Sequence, residues 1–536
     1  MAGTPATTKE TTVAQGSAIA GILQKHPLIA SALLGLVAAI GFPPLHIWPA
    51  TLLAIGAFAF LVRAAPTPKA AFARGWVFGV FHFTLANNWI ATAFTFQAEM
   101  PPVLGWLAVP LLSLYLAVYP ALAAMVARRL GWAMRRGPFA AVLAGCWIVG
   151  EWLRGHVFTG YAWDPLGLVF LGGWDRPGIA AVLPWMGTYA LSGLVVLAGG
   201  MLWALAAQRR WLPLAIVALG IVAGMFWPAG PGAEGEMPFT LVQPNLKQTE
   251  INDPARFEAQ FATLANLTAP RERSGRRIVL WPESGVPDYL RPGYPQRYYD
   301  QTTAGGDPEF ARRRIARIMG PEGVLLTGAV DLEIEGGRAV AAYNTVTALA
   351  DDGDIVGSYS KAHLVPYGEY LALRWLLEPL GASRLVAGSL DFLPGPGPRT
   401  LDLGPWGEAG VQICYEIIFS GQTVDPANRP DYIFNPSNDG WFGTWGPPQH
   451  MAQARMRAIE EGLPVLRATT TGISAVIDAR GVVRQHVGQG IAARIDGRIP
   501  PAHAPTLFAR LQNWLAFGWA LLLIGTAVLV HRKWPV

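Results

Sequence analysis

Charge is scarce in this sequence. Asp, Glu, Lys and Arg make up 14% of its 536 residues, against roughly 25% in an ordinary soluble protein. Cysteine is nearly absent, with Cys146 and Cys414 the only two. Cys146 lies in the apolar run "AAVLAGCWIVG" and Cys414 in a distant, more polar half of the chain, which argues against a disulfide. No Cys/His cluster has metal-ligand spacing, so neither a metal nor a cofactor is expected. His363 and His450 stand alone and read as structural histidines. No basic run is long enough for a nucleic-acid footprint, which excludes nucleic acid as a partner. Internal repeats, long low-complexity tracts and a compact cleavable leader are also missing.

What the chain does have is apolar sequence. Apolar residues make up 52%, with 21 tryptophans. Apolar runs lie at about 28–45, 47–64, 72–96, 103–127, 139–153, 178–207 and 211–228, and an eighth at 513–530. Each is near the ~20 residues that cross a bilayer, with 28–45 and 139–153 short. Eight transmembrane helices are therefore expected. Lys9, Lys25, Arg63, Lys69, Arg74, Arg128, Arg129, Arg135, Arg136, Arg209, Arg210, Arg532 and Lys533 all fall in loops on one side of that arrangement. The positive-inside rule makes that side cytoplasmic. The expected organisation is a cytoplasmic tail at 1–27, a seven-helix region at 28–228, a linker at 229–236, an outer domain at 237–505 and the closing helix at 513–530. Both termini are then cytoplasmic. Glu151 and Arg154, near the outer end of the fifth run, read as an interface pair.

The outer block alternates β-rich runs with helical ones. "FTLVQPN", "RIVLWPES", "GVLLTGAV", "NTVTALA", "AGVQICYEIIF", "DYIFNPSND", "PVLRATTTG" and "SAVIDARG" read as strands, and "PARFEAQFATLANLT" and "PQHMAQARMRAIEEGLP" as amphipathic helices. About 270 residues suffice for a layered core. Glu283 in "VLWPESGVP", Lys361 in "SYSKAHLVPYGEY" and Cys414 in "QICYEIIF" end or follow strands. In a layered α/β fold such positions converge on one crevice. A thiol needs a base or a neighbouring cation to act as a nucleophile, and a carboxylate and an ammonium meet those needs. Each residue alone also has a structural reading: core filler, helix cap, solvated lysine. "SYSK" fits an S-x-x-K acyl-transfer pattern with Ser358 as nucleophile, but the S-D-N and K-T-G partners of that pattern are missing.

The order Glu, Lys, Cys within "WPE", "K-x-H-L-V-P-Y-G-E" and "CYE" resembles the nitrilase superfamily. The stretches "NPSNDGWFGTWGPPQHMAQARMRAIEEGLPVLRATTTG" and "EWLRGHVFTGYAWDPLG" look like its membrane-bound branch, the apolipoprotein N-acyltransferases of Gram-negative bacteria. The resemblance covers essentially the whole chain. It implies an αββα sandwich outside a membrane helical bundle, in the bacterial inner membrane with the catalytic domain in the periplasm. It implies Glu283 as general base, Lys361 for the oxyanion and Cys414 as nucleophile. Glu369, Tyr415 and Glu416 are implied as supporting residues, and Asn438, Asp439, Trp441 and Phe442 as a loop lining the site. Trp441, Phe442 and Trp445 are expected to dip into the outer leaflet. A phospholipid, phosphatidylethanolamine, is the implied acyl donor, a diacylated apolipoprotein the acceptor, and the enzyme a monomer without cofactor. The family pattern has a tryptophan after the first strand; "VQPNLKQTEINDPARF" has none. The competing readings are a membrane-tethered amidase or nitrilase and a transporter with an outer domain. Few ionisable residues lie mid-span, which weakens the last.

Overall fold

The computed structural model describes residues 21, 24–96, 103–270, 275–377, 379 and 390–534. The expected tail at 1–27 lies largely outside them. Helices α1 (Pro27–Ala39), α2 (Trp48–Arg63) and α3 (Pro68–Ala86) each open with proline in their first two positions, where a missing amide costs no helical bond. Then come α4 (Val103–Leu116), α5 (Val118–Gly131), α6 (Arg136–His156), α7 (Leu183–Ala207) and α8 (Trp211–Phe226). Glycines let these helices touch. A Cβ at Gly56 of α2 would sit 2.5 Å from the Gly199 carbonyl of α7, so the two backbones meet directly.

Among the described residues, Val103–Gly131, Ile179–Ala207 and Trp514–Lys533 are long and apolar enough to cross a membrane by length and composition. Pro27–Ala39, Trp48–Arg63 and Trp211–Phe226 are shorter apolar helices. The run at 72–96 is not one helix. It breaks after Ala86, where the Asn87 side chain turns back to donate to the Phe83 carbonyl. In α6, Glu151 and Arg154 are buried 3.7 Å apart. Arg154 donates to the Trp163 carbonyl at 2.7 Å and Glu151 accepts from the Leu166 N–H at 2.9 Å, so the pair pins the 157–171 loop onto the bundle.

From residue 238 the chain builds two six-stranded sheets. The first contains β1 (Pro238–Gln243), β2 (Arg277–Leu280), β3 (Gly323–Glu335), β4 (Arg338–Ala350) and β5 (Ile355–Ser360). The second contains β6 (Thr400–Asp402), β7 (Glu408–Val411), β8 (Tyr432–Ser437), β9 (Val465–Thr469), β10 (Ser474–Ile477) and β11 (Val483–Val487). The last strand, β12 (Ala493–Arg498), returns to the first sheet and pairs antiparallel with β1. β1–β2–β3 and β7–β8–β9 run parallel; their outer neighbours are antiparallel. Leu241, Ile278, Leu326, Val411, Phe434 and Leu466 interdigitate between the sheets. Helices α9 (Phe257–Thr268) and α10 (Pro308–Met319) cover the far face of the first sheet through Leu264, Ile315 and Met319.

The second sheet is covered by α11 (Gly446–Glu461). Its Met451, Ala454 and Ala458 meet Ile433, Val465 and Ile477 of the sheet. Its Ala452, Met456 and Ile459 belong to the core of the membrane bundle. Apart from half-buried Pro448, all of α11 is buried. The amphipathic helix read from the sequence is thus a layer shared by both halves. Helix α12 (Trp514–Lys533) then packs on α6 and α7.

The run "VQICYEIIF" departs from its expected form. The strand ends at Val411, and Cys414–Ile418 is a 3-10 turn. Cys414 has a φ of +49°, which no strand accommodates. Its isoleucines serve the core as turn residues.

Candidate active site

Glu283 follows β2 by three residues, Lys361 follows β5 directly, and Cys414 follows β7 by three. All three are buried. Glu283 lies against Gly328, where a Cβ would come within 2.7 Å of its Cα, so only glycine leaves room. Lys361 Nζ sits 3.0 Å from Glu369 Oε1 and 3.6 Å from Glu283 Oε1. The sequence reading missed Asn344 of β4. Its side-chain amide spends both N–H groups on the two carboxylates, donating to Glu283 Oε1 and Glu369 Oε1 at 2.8 Å each. The available signal was an amide inside an otherwise apolar and threonine-rich strand. Glu283 Oε2 accepts the Asn438 N–H at 2.8 Å, and Glu369 Oε2 accepts the Val365 N–H at 2.7 Å.

Burial alone would pull the Lys361 ammonium down, but the Glu369 and Glu283 carboxylates outweigh it and hold the lysine above its ordinary range. Burial pushes the Cys414 thiol well up, Glu283 adds to this, and Lys361 offsets part of it. The thiol is therefore protonated at rest. Two carboxylates and one ammonium already leave this pocket with an excess negative charge. A proton passing from Cys414 to Glu283 keeps that total constant, whereas loss of the proton to solvent would raise it.

The other expected site residues divide into two groups. Glu416 does not face the thiol. Its Oε1 accepts from Tyr359 Oη at 2.7 Å, the Ala362 N–H at 2.7 Å and the His363 N–H at 3.1 Å, and its Oε2 accepts the Ile413 N–H at 2.7 Å. One carboxylate thus ties the Cys414 turn to the segment carrying Lys361. Burial raises it to about 7, while these four donors favour its charged form. Tyr415 points its hydroxyl to the Gly160 carbonyl at 3.4 Å and stacks edge-on against Phe419. Asn438 accepts from Thr470 Oγ1 and donates to Gln248 Oε1, at 2.8 Å each.

Asp439 lies behind the site, fully buried against Arg467 and His450. Burial would raise its carboxyl, but the Arg467 guanidinium and the His450 ring hold it below the usual range. Trp441 meets Phe96 edge-on with centroids 5.8 Å apart, and Phe442 meets Trp89 at 4.7 Å and Trp163 at 5.5 Å. Phe442 and Trp445 share one apolar cluster with Trp89, Ala162 and Trp163 of the helical half.

Two six-stranded sheets with helices on both outer faces form a carbon–nitrogen hydrolase fold, and the Carbon-nitrogen hydrolase family profile matches residues 240–497. An amidase from Nesterenkonia sp. is similar at 18% identity and TM-score 0.34, over 57% of this chain and 99% of that one. The profile described as "Apolipoprotein N-acyltransferase N-terminal domain" matches residues 34–201. An apolipoprotein N-acyltransferase of Rhodopseudomonas palustris is 32% identical, over 94% of this chain and 95% of its own length. Another, of Caulobacter vibrioides, is 35% identical over 92% of each chain. The chain belongs to the apolipoprotein N-acyltransferase family.

Proposed function

We propose that this enzyme moves an acyl chain from a membrane phospholipid, phosphatidylethanolamine, through a thioester on Cys414 to the α-amine of an S-diacylglyceryl-cysteine. This would be the last step of bacterial lipoprotein maturation. The observation that carries the reading is where the site is built. Tyr415 reaches a carbonyl of the 157–171 loop, and the loop after Asn438 packs on Trp89 and Phe96, so the reacting groups sit against the membrane half. A soluble amide needs no such wall; a substrate tethered in a bilayer does.

Glu283 takes the thiol proton as the Cys414 sulfur attacks the ester carbonyl. Lys361 and the Tyr415 N–H stabilise the oxyanion. That amide lies in the first turn of a 3-10 segment, where N–H groups lack helical partners. The ester C–O bond breaks, Glu283 returns the proton to the leaving alkoxide, and lysophospholipid departs. The acceptor amine then attacks the thioester, Glu283 takes its proton, the C–S bond breaks and the proton passes to sulfur. Glu369 and Asn344 hold Lys361 and Glu283 in place, and the enzyme acts as a monomer.

We place the protein in the inner membrane with eight spans, both termini cytoplasmic and residues 237–505 in the periplasm. Exposed aromatics support this. Trp106, Phe158, Trp185, Trp227 and Trp514 lie at helix ends that connectivity puts on the sandwich side, and Trp132, Trp211 and Trp534 at the opposite ends. Two such girdles mark the two interfaces of a bilayer.

The test is intact-protein mass spectrometry after incubation with labelled phospholipid. An acyl adduct on wild type that is lost in Cys414→Ala is expected. No adduct on wild type overturns the mechanism, and free fatty acid released without acceptor makes the protein a hydrolase. Glu283→Gln supplies a second check. It should slow acyl transfer by roughly 10²–10⁴-fold through loss of the base. Iodoacetamide should likewise alkylate Cys414 more slowly in this variant, because the group that accepts the thiol proton is gone. In wild type, alkylation should be slow at neutral pH and rise through and beyond the ordinary thiol range near ~8.5.

A further inference from the structure

Helix α11 joins the reacting cysteine to the membrane bundle through two adjacent residues. A left-handed φ on a non-glycine residue persists only where the surroundings impose it, and Cys414 has a φ of +49°. Its carbonyl lies 3.0 Å from His450 Nε2. A carbonyl only accepts, so Nε2 carries a proton and donates it there. On the other edge of the ring, Nδ1 lies 2.9 Å from both Asp439 Oδ1 and Arg467 Nη2. Arg467 Nη2 donates to the Asp439 oxygens at 2.8 and 2.7 Å, and Nη1 to Ser437 Oγ at 2.9 Å and to Asn435 Oδ1. Histidine, aspartate and arginine are all fully buried. The Trp163 and Phe442 rings close round the imidazole at 5.2 and 5.7 Å.

One residue earlier, Gln449 faces the bundle. It accepts from Trp163 Nε1 at 2.8 Å and donates to the Pro43 carbonyl at 3.1 Å and the Ala86 carbonyl at 3.0 Å. Those carbonyls belong to the α1–α2 connection and the end of α3. The orientation of the imidazole is thus fixed by the sandwich through Asp439 and Arg467, and its helix by the bundle through Gln449.

We propose that His450 is a positioning residue for acyl transfer. It clamps the Cys414 carbonyl and so maintains the left-handed turn that aims the thiol at Glu283 and leaves the Tyr415 N–H free for the oxyanion. Through Gln449, the membrane bundle sets this clamp. The inference rests on the reading of Cys414 as the nucleophile.

Two amides separate positioning from mere stability. In His450→Gln the longer side chain reaches as far as Nε2 and keeps a donor for the Cys414 carbonyl. In His450→Asn the shorter one stands at Nδ1, keeping the Asp439 contact and losing the Cys414 one. Full-length protein in phospholipid-containing micelles is mixed with labelled phospholipid, and the rate of thioester formation per folded molecule is followed by intact mass. A misplaced nucleophile should slow His450→Asn by roughly 10²-fold, with His450→Gln recovering all but about threefold. Equal rates in the two variants, the reverse order, or failure of both to fold would overturn the proposal and leave His450 a stability residue. Absence of any adduct on wild type would instead strike the nucleophile assignment itself.

Discussion

The sandwich has a helical cover on each side, and the two covers differ in how much of their polarity they bury. On the first sheet, α10 buries Ala311, Ile315 and Met319 and turns Arg313 outward, paired with Glu309 one helical turn away in water. On the second sheet, α11 carries comparable polarity but buries it. Arg455 donates to the carbonyls of Gly172, Gly173, Arg176 and Gly481, all within 2.9 Å. Glu460 accepts from the Thr188 N–H and hydroxyl, where α7 restarts after the non-helical Gly187. Gln449 caps Pro43 and Ala86. On α10, Arg313 and Arg317 are exposed and only half-buried Arg312 turns inward, donating to the Gly353 and Leu290 carbonyls, whereas on α11 the polar side chains are buried and stand in for solvent at several points where the bundle backbone leaves its helices.

That contrast can be broken by substitution. Arg455→Met should be the most damaging, since it strands several buried carbonyls at once; a loss of roughly 3 kcal/mol or more is expected, read as a lower unfolding midpoint in detergent. Gln449→Leu leaves two carbonyls and an indole N–H unpaired and should cost about 2 kcal/mol, with acyl transfer falling beyond the loss of folded protein if the bundle sets the His450 clamp. Arg313→Ala on α10 removes an exposed pair and should change stability by no more than about 0.5 kcal/mol. If Arg455→Met and Arg313→Ala prove equally mild, the two covers are not different in kind.

The same contrast explains what could be read from the sequence. The apolar runs near 47–64, 178–207, 211–228 and 513–530 each hold a helix and that near 103–127 holds two in succession, because their composition leaves the backbone little alternative. Glu283, Lys361, Glu369 and Cys414 come together, because strand ends of a layered fold share a rim. Local pattern misled where distant residues decide. The apolar and β-branched run around Cys414 reads as a strand, but Glu416 and His450 bend it into a turn through bonds to Ile413 and Cys414. Asp439 enters the expected site-lining loop only through the family resemblance, and its local sequence gives no hint that the 3-10 turn Asp439–Phe442 directs its carboxylate to Arg467. Asn344 escaped notice because its meaning depends on two carboxylates 61 and 25 residues away.

The shared layer also sets a timetable for synthesis. The carbonyls at Gly172, Gly173 and Arg176 emerge from the ribosome long before Arg455, which lies 283 residues beyond Gly172. At the usual elongation rates of about 5–20 residues per second, the nascent bundle waits roughly 15–60 s for that guanidinium. The bundle is completed by a helix that is made after most of the bundle's own chain.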